Sequence, residues 1–389
     1  MTKLALALVL SVAVNSFAAD GATDKVSTLP DGNASLRNEV RRAIAKGLGW
    51  LEKNQDPKGF WSTADHPAVT ALALVAAQGD PTRAGRAADA AFVDRGYAFL
   101  KSCVHDDGSV YAKKELVNYN TSVALMAFSV AQRAEFKPVI LKARQYLIGT
   151  QVDLGEPGKV DNVFDGGIGY GSKYEHSDMA NTLFALEALY YSKAFAEDQK
   201  LAGARDLNWP AVIHFIQSCQ NLPNHNVEKW ASDDPQNKGG FIYYPGQSMA
   251  GETNLASGRV AFRSYGSASY MGLLSYIYAD LKRDDPRVVA VMDWLRANYT
   301  LAENPGMGPQ GIFYYLHTMT KALSVYGADV LETKDGAKHN WREEAALKLI
   351  DLQKGDGSWA NDNGRWWEKD PALVTAYALI SLEMIERRL

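Results

Sequence analysis

Few residues of this sequence could do chemistry, and most gather around two places. Asp178 stands four residues before Thr182 at the start of an apolar run, in Asp178-Met179-Ala180-Asn181-Thr182. His317 lies in Tyr315-Leu316-His317-Thr318, two residues before Met319, directly after the aromatic run Phe313-Tyr314-Tyr315. A carboxylate close to an imidazole would favour the charged ring, raise its pKa and make ligand binding or activity depend on pH near neutrality. The functional reading of His317 is a general acid/base or an orienting group; the plain alternative is a satisfied core histidine. Further aromatics stand at Phe241, Tyr243, Tyr244, Trp366 and Trp367. No Ser–His–Asp order and no metal-ligand spacing stands out. The glycine-rich stretch from Asp165 to Gly171 follows no strand signal and reads as a turn.

These residues need a scaffold, and the sequence describes one through repetition. Gln55-Asp56-Pro57-Lys58-Gly59-Phe60-Trp61 and Gln353-Lys354-Gly355-Asp356-Gly357-Ser358-Trp359 share the pattern Q-x3-G-x-W. Each follows a leucine four residues earlier, Leu51 and Leu349, and precedes a helix-like apolar stretch. A glycine tolerating φ > 0 lets the chain reverse there, a glutamine can satisfy open backbone groups, and an indole can seal a junction. The same grammar recurs at Val104, Gln151, Gln220 and Tyr299. Inner segments carry a hydroxyl, then a small residue three later, then Leu: Thr70, Thr121, Thr182, Ser269 and Thr375, with Met319 breaking the rule. Helices without a polar face must be buried all round. The predicted fold is all-α, an (α/α)6 toroid of six helix pairs that closes on itself. Ser35 is the expected cap of the first helix. The long connections at roughly 151–177 and 220–264 should gather at one end of the ring and shape a site there.

The Q-x3-G-x-W repeats and all-apolar inner helices resemble the terpenoid cyclase and protein prenyltransferase family, which includes the squalene–hopene cyclases. The resemblance spans residues 36–389 and implies a barrel cavity for an isoprenoid chain. The family's cyclases protonate an alkene with the middle Asp of a D-x-D-D-T motif. The matching residues here are Asp178 to Thr182, with Ala180 at the proton donor's place and Asn181 at the last Asp. Its protein prenyltransferases hold zinc with Asp, Cys and His. Their matches are Arg263, Tyr265 and His317, and one ligand of three does not hold Zn²⁺. No metal and no cofactor is therefore expected. Registered on the inner-helix hydroxyl, the places equivalent to the lost donor read Ala68, Tyr119, Ala180, Ser267, His317 and Leu373. The resemblance makes Asp178 and His317 the candidate catalytic pair. Asn181, Tyr243, Tyr244, Tyr265, Tyr314, Tyr315, Trp366 and Trp367 are the candidate ligand contacts, since family cavities use aromatic π faces.

Composition narrows the partners. The 389 residues are 47% hydrophobic and 22% charged, with a net charge of −4, which gives no electrostatic basis for binding nucleic acid. Cys103 and Cys219 occupy equivalent places on different repeats, so two buried thiols are a simpler reading than a disulfide. Residues 1–18 combine Lys3, an apolar run from Leu4 to Val14, and Ser16-Phe17-Ala18, the pattern of a cleaved secretory signal peptide. A tail over 19–34 and a repeat domain over 35–389 follow, with no membrane span. The sequence thus describes an exported protein, periplasmic or secreted, and leaves three functions open. It is a binder of, or divergent enzyme for, an apolar ligand such as an isoprenoid; a non-catalytic interaction module; or an (α/α)6 lyase or hydrolase acting on a polysaccharide. Cleavage after Ala18 is expected, and N-terminal sequencing of the exported protein should begin at Ala19. A mature chain that still carries Leu4–Val14 would contradict it.

Overall fold

The computed structural model describes residues 33–83, 90–172, 176–197, 206–255 and 258–389. The expected signal peptide and most of the tail lie outside the described residues. Six helix pairs follow in chain order: α1 (Ala34–Lys53) with α2 (Pro67–Gly79), α3 (Ala91–Ser102) with α4 (Val117–Val130), and α5 (Lys137–Ile148) with α6 (Met179–Tyr191). After the short α7 (Lys193–Glu197) come α8 (Trp209–Ser218) with α9 (Gly266–Tyr278), α10 (Pro286–Ala297) with α11 (Ile312–Tyr326), and α12 (Trp341–Asp351) with α13 (Pro371–Glu386). The second helix of each pair packs against the second helix of the next, and α13 returns to α2, so the inner ring closes. The toroid predicted from the repeats is the observed fold. Two short hairpins decorate it: β1 (Glu252–Asn254) with β2 (Val260–Phe262), and β3 (Leu331–Glu332) with β4 (Lys338–His339).

Each element of the repeat pattern has a distinct physical task. The glutamine amide bonds the carbonyl of its own turn and a carbonyl of the following outer helix or its N-cap. Gln55 thus joins Gly59 to Phe92, Gln151 joins Gly166 to Asn208, and Gln220 joins Gly239 to Arg287. Gln353 joins Gly357 to Ala43 and so ties the last pair to the first, at 2.9 Å in both bonds. The turn glycines Gly59, Gly108, Gly166, Gly239 and Gly357 have φ between 89° and 96°. A Cβ on any of them would also fall 2.0–2.6 Å from a carbonyl oxygen of the next outer helix, so glycine is required twice over. The inner-helix hydroxyls of Thr70, Thr121, Thr182, Ser269 and Thr375 accept the N–H of Trp61, Val110, Ile168, Phe241 and Trp359. The stretch from Asp165 to Gly171 therefore contains a repeat turn, with Ile168 where the first and last turns have Trp61 and Trp359. Met319 has no hydroxyl to offer, and at the glutamine position of that pair Tyr299 bonds Glu344 instead, at 2.9 Å.

Trp61 and Trp359 are buried, and their indole N–H groups bond Leu51 and Leu349. Gly96 and Gly47, on the following outer helices, leave the space these rings fill. Cys103 and Cys219 are free, buried thiols. One local expectation needs correction: α1 begins at Ala34 with Asn33 before it, so Ser35 lies inside the first turn and does not cap it. Among the described residues no helix is long and apolar enough to cross a membrane.

The staples should be measurable in denaturant or thermal unfolding. Gln353→Leu leaves the Gly357 and Ala43 carbonyls without their donor at the ring closure and should lose about 1–3 kcal/mol. Trp61→Ala or Trp359→Ala removes a buried ring and should lose about 3–5 kcal/mol. Wild-type stability in all three variants would contradict the repeat-junction account.

Candidate functional site at the ring mouth

Every outer-to-inner connection enters at the same end of the ring, so the first turns of the inner helices form one mouth. Their leading N–H groups are covered by the next pair around the ring. Ala68 N donates to Asn120 Oδ1 of α4, Asn118 N to the Tyr170 carbonyl, and Met179 N to the Tyr243 carbonyl. Gly266 N and Ser267 N donate to Pro305 O and Asn304 Oδ1, and Tyr314 N to Glu368 Oε1. Asp370 caps α13 and is held by Ser62 of the first pair. The long connections meet here as expected: the Tyr170 and Tyr243 hydroxyls lie 3.2 Å apart, and Tyr244 packs on Phe164 and His176.

Asp178 is the N-cap of α6. Its Oδ1 accepts from Asn181 N at 2.9 Å, its Oδ2 from the Asn181 side-chain amide at 2.7 Å, and the Tyr243 hydroxyl faces it. Burial pushes its pKa up to about 6, against the pull of Asn181, Tyr243 and His176 toward the charged form. Glu368 is also buried and raised by desolvation, with its oxygens on Tyr314 N and the Asn361 amide. Both carboxylates are thus committed to holding helix starts and connections.

Below the rim the lumen is bounded by aromatic rings. Tyr119 packs on Phe184 at 5.0 Å, Phe184 on Tyr314 at 6.3 Å, and Tyr314 on Tyr377 at 5.7 Å between centroids. The Tyr377 and Tyr119 hydroxyls meet, which closes this collar. Helices α6 and α11 are not neighbours in the ring, so the Phe184–Tyr314 contact crosses the lumen. Deeper still, Lys321 Nζ of α11 crosses to Glu187 of α6, 2.7 Å from Oε1 and 2.9 Å from Oε2. Tyr119, Ala180 and Tyr314 are half-buried on helices whose neighbouring residues are buried, so unfilled space is left along the inner wall beside Ala180.

His317 stands apart from Asp178. It is buried, its ring lies 4.9 Å from Tyr377, and neither ring nitrogen has a hydrogen-bond partner. Burial and then the Lys321 charge press its pKa well below the usual histidine value, and the nearby Tyr377 backbone only partly opposes them. The expected rise is corrected to a fall: the charge that matters is a cation one turn below, while Asp178 is turned to the rim and spent as a cap.

The remaining candidates divide. Asn181 is buried and bonds Asp178; Tyr243, Tyr244 and Tyr314 are half-buried at the mouth; Trp366 and Trp367 are exposed on its rim, with Trp367 against His66 and Arg365 over Trp366. Tyr265 and Tyr315 are packed in the wall, the latter bonding the Thr300 carbonyl at 2.8 Å with its ring against Tyr270. Tyr170, Phe184, Tyr377 and the Glu187–Lys321 pair join the site without having stood out in the sequence. For that pair, the available signal was a lone charge inside an otherwise apolar helix.

No family model matches the chain, and no curated protein is similar to it in sequence. Solved structures do resemble it. A variant of the type II terpene cyclase MstE from Scytonema, bound to geranylgeranyl dihydroxybenzoate, superposes with TM-score 0.54 at 12% identity, covering 92% of this chain and 99% of that one. The chain has the α/α toroid fold of this cyclase. The toroid is shared more widely: the GH76 α-mannanase of Bacteroides thetaiotaomicron gives TM-score 0.52 at 13% identity over 92% of this chain and 98% of that one. An inactive α-1,6-mannanase variant of Salegentibacter sp. HEL1_6, bound to α-1,6-mannotriose, gives 0.51 at 12% over 88% and 99%. At these identities the likeness establishes the fold alone.

A pH prediction follows from Asp178. A carboxyl whose pKa is about 6 when folded and about 3.9 when unfolded binds its proton more tightly in the fold. Its stabilising contribution is complete below about pH 4 and is withdrawn as pH rises through about 6. Asp178→Asn should flatten the stability profile between those values, measured by unfolding at each pH. A variant profile that tracks the wild type would show that Asp178 titrates normally.

Proposed function

We propose that this is an exported binding protein whose ring mouth takes an apolar ligand, an isoprenoid chain being the nearest chemistry, and that it lacks the cyclase's acid. One observation carries this reading: unfilled space is left along the lumen wall beside Ala180, where the resemblance places the proton donor, and it is walled by Tyr119, Tyr314 and Phe184. Alanine has no proton to give, so the opening offers space and aromatic faces in place of an acid. The neighbouring carboxylates, Asp178 and Glu368, are tied to backbone and amide donors, which leaves neutral hydroxyls and ring faces toward a ligand. Glycoside hydrolysis calls for two carboxylates flanking the scissile bond. The observation favouring a sugar ligand is the exposed Trp366–Trp367 pair on the rim. Export rests on the signal-peptide pattern of residues 1–18.

The test is saturable binding of a fluorophore-tagged geranylgeranyl chain, followed by emission anisotropy. The wild type should bind it, and Ala180→Trp, which fills the opening, should weaken binding at least tenfold with its melting temperature retained. Binding of α-1,6-mannotriose without binding of the prenyl probe would overturn this reading in favour of a carbohydrate protein.

A further inference from the structure

The register of the ring puts His317 in a place the apolar reading leaves unexplained. Tyr119 and Ala180 each stand two residues before the hydroxyl that fixes their helix to its turn, and His317 stands two before Met319, the equivalent position on α11. At ~1.5 Å of rise per residue these three residues lie at one depth. The space beside Ala180 is therefore level with the imidazole, and Tyr314 stands one turn nearer the rim on the same helix. Neither nitrogen of His317 makes a full hydrogen bond among the described residues; the Tyr377 backbone stands close enough to draw one of them, which leaves the other open, and the Thr320 hydroxyl a turn below is also buried and unbonded. Buried polar groups in folded proteins are nearly always bonded, so an imidazole nitrogen left open on the inner wall calls for a polar occupant.

Charge decides what that occupant is. The charges nearest this depth are Lys321 of α11 and Glu187 of α6, and they neutralise each other across the ring. Asp178 and Glu368 belong to the rim and are already bonded, and Arg365 lies outside over Trp366. Glu383 sits at the far end of α13, against Gly79. Among the described residues an anionic head such as a diphosphate or a carboxylate would find no uncompensated cation at this depth to repay its desolvation, and an ammonium would meet Lys321. A neutral imidazole presents one donor and one acceptor, the complement of a hydroxyl group.

We infer that the apolar ligand ends in an uncharged hydroxyl, as an alcohol or a phenol, and that this end enters first and bonds His317. The inference rests on the reading of the mouth as an apolar binding site and adds the class of the ligand's head group.

Competition against the tagged geranylgeranyl chain separates the two. Geranylgeraniol should displace the tag at least tenfold better than the hydrocarbon of equal length, and better than geranylgeranyl diphosphate. His317→Phe should abolish the preference for the alcohol while still binding the hydrocarbon, and His317→Gln, which keeps a donor and an acceptor, should retain it. Equal displacement by alcohol and hydrocarbon, strongest displacement by the diphosphate, or an alcohol preference that survives in His317→Phe would each overturn the inference and leave the mouth assignment standing. Failure of the wild type to bind any prenyl chain would overturn both.

Discussion

A helix that is apolar on every side cannot leave its first N–H groups bare, and six such helices side by side have only one another's connections to turn to. That constraint shapes the mouth of this ring. Each inner helix is begun by a group from the next pair: Asn120, Tyr170, Tyr243, Asn304 with Pro305, Glu368, and finally Ser62 through Asp370. The connections are thus held in place by the helices they cap. The glutamine staples do the same for the outer layer, and Gln353 at Ala43 completes the circle. Stability and site geometry therefore share the same residues, because the loops that build the mouth also satisfy the ring's backbone.

The same economy removes acids from chemistry. Asp178 serves as an N-cap with both oxygens engaged. What remains toward the lumen is an aromatic collar above a crossed ion pair. Lys321 and Glu187 are each buried, and a buried pair of this kind is costly to break because the surviving charge would be left alone. It sets a neutral floor beneath the collar, while burial and then the Lys321 charge lower the His317 pKa. The lumen consequently offers shape, π faces and a few neutral polar atoms.

Much of the fold was legible in the sequence because each repeat element has a local reason to be there. Glycine is needed at a turn that requires φ near 90° and leaves no room for a Cβ. A hydroxyl is needed to receive the next N–H, and glutamine to bridge two carbonyls. These reasons recur at fixed spacing, so repetition revealed them. The site was less legible. Tyr314 and Tyr315 are adjacent in sequence, yet a helix turns about 100° between them, so one faces the lumen and the other the wall. Tyr265 precedes its helix and packs inward. Glu187 and Lys321 are 134 residues apart, and only the closed ring brings them together. Register alone picks out His317, but it assigns the wrong electrostatic partner, because proximity along the mouth says nothing about which direction Asp178 faces.

The proposed site depends above all on the inner wall being open to solvent at Ala180 and sealed deeper along α6. Single-cysteine labelling tests this directly, since Cys103 and Cys219 are buried. Ala180→Cys and Ala185→Cys should be treated with a small maleimide under native conditions and followed by intact mass. Rapid labelling is predicted at position 180 and none at position 185, where the native alanine is fully buried. Equal protection of both cysteines would show that the mouth is sealed, and the site with it.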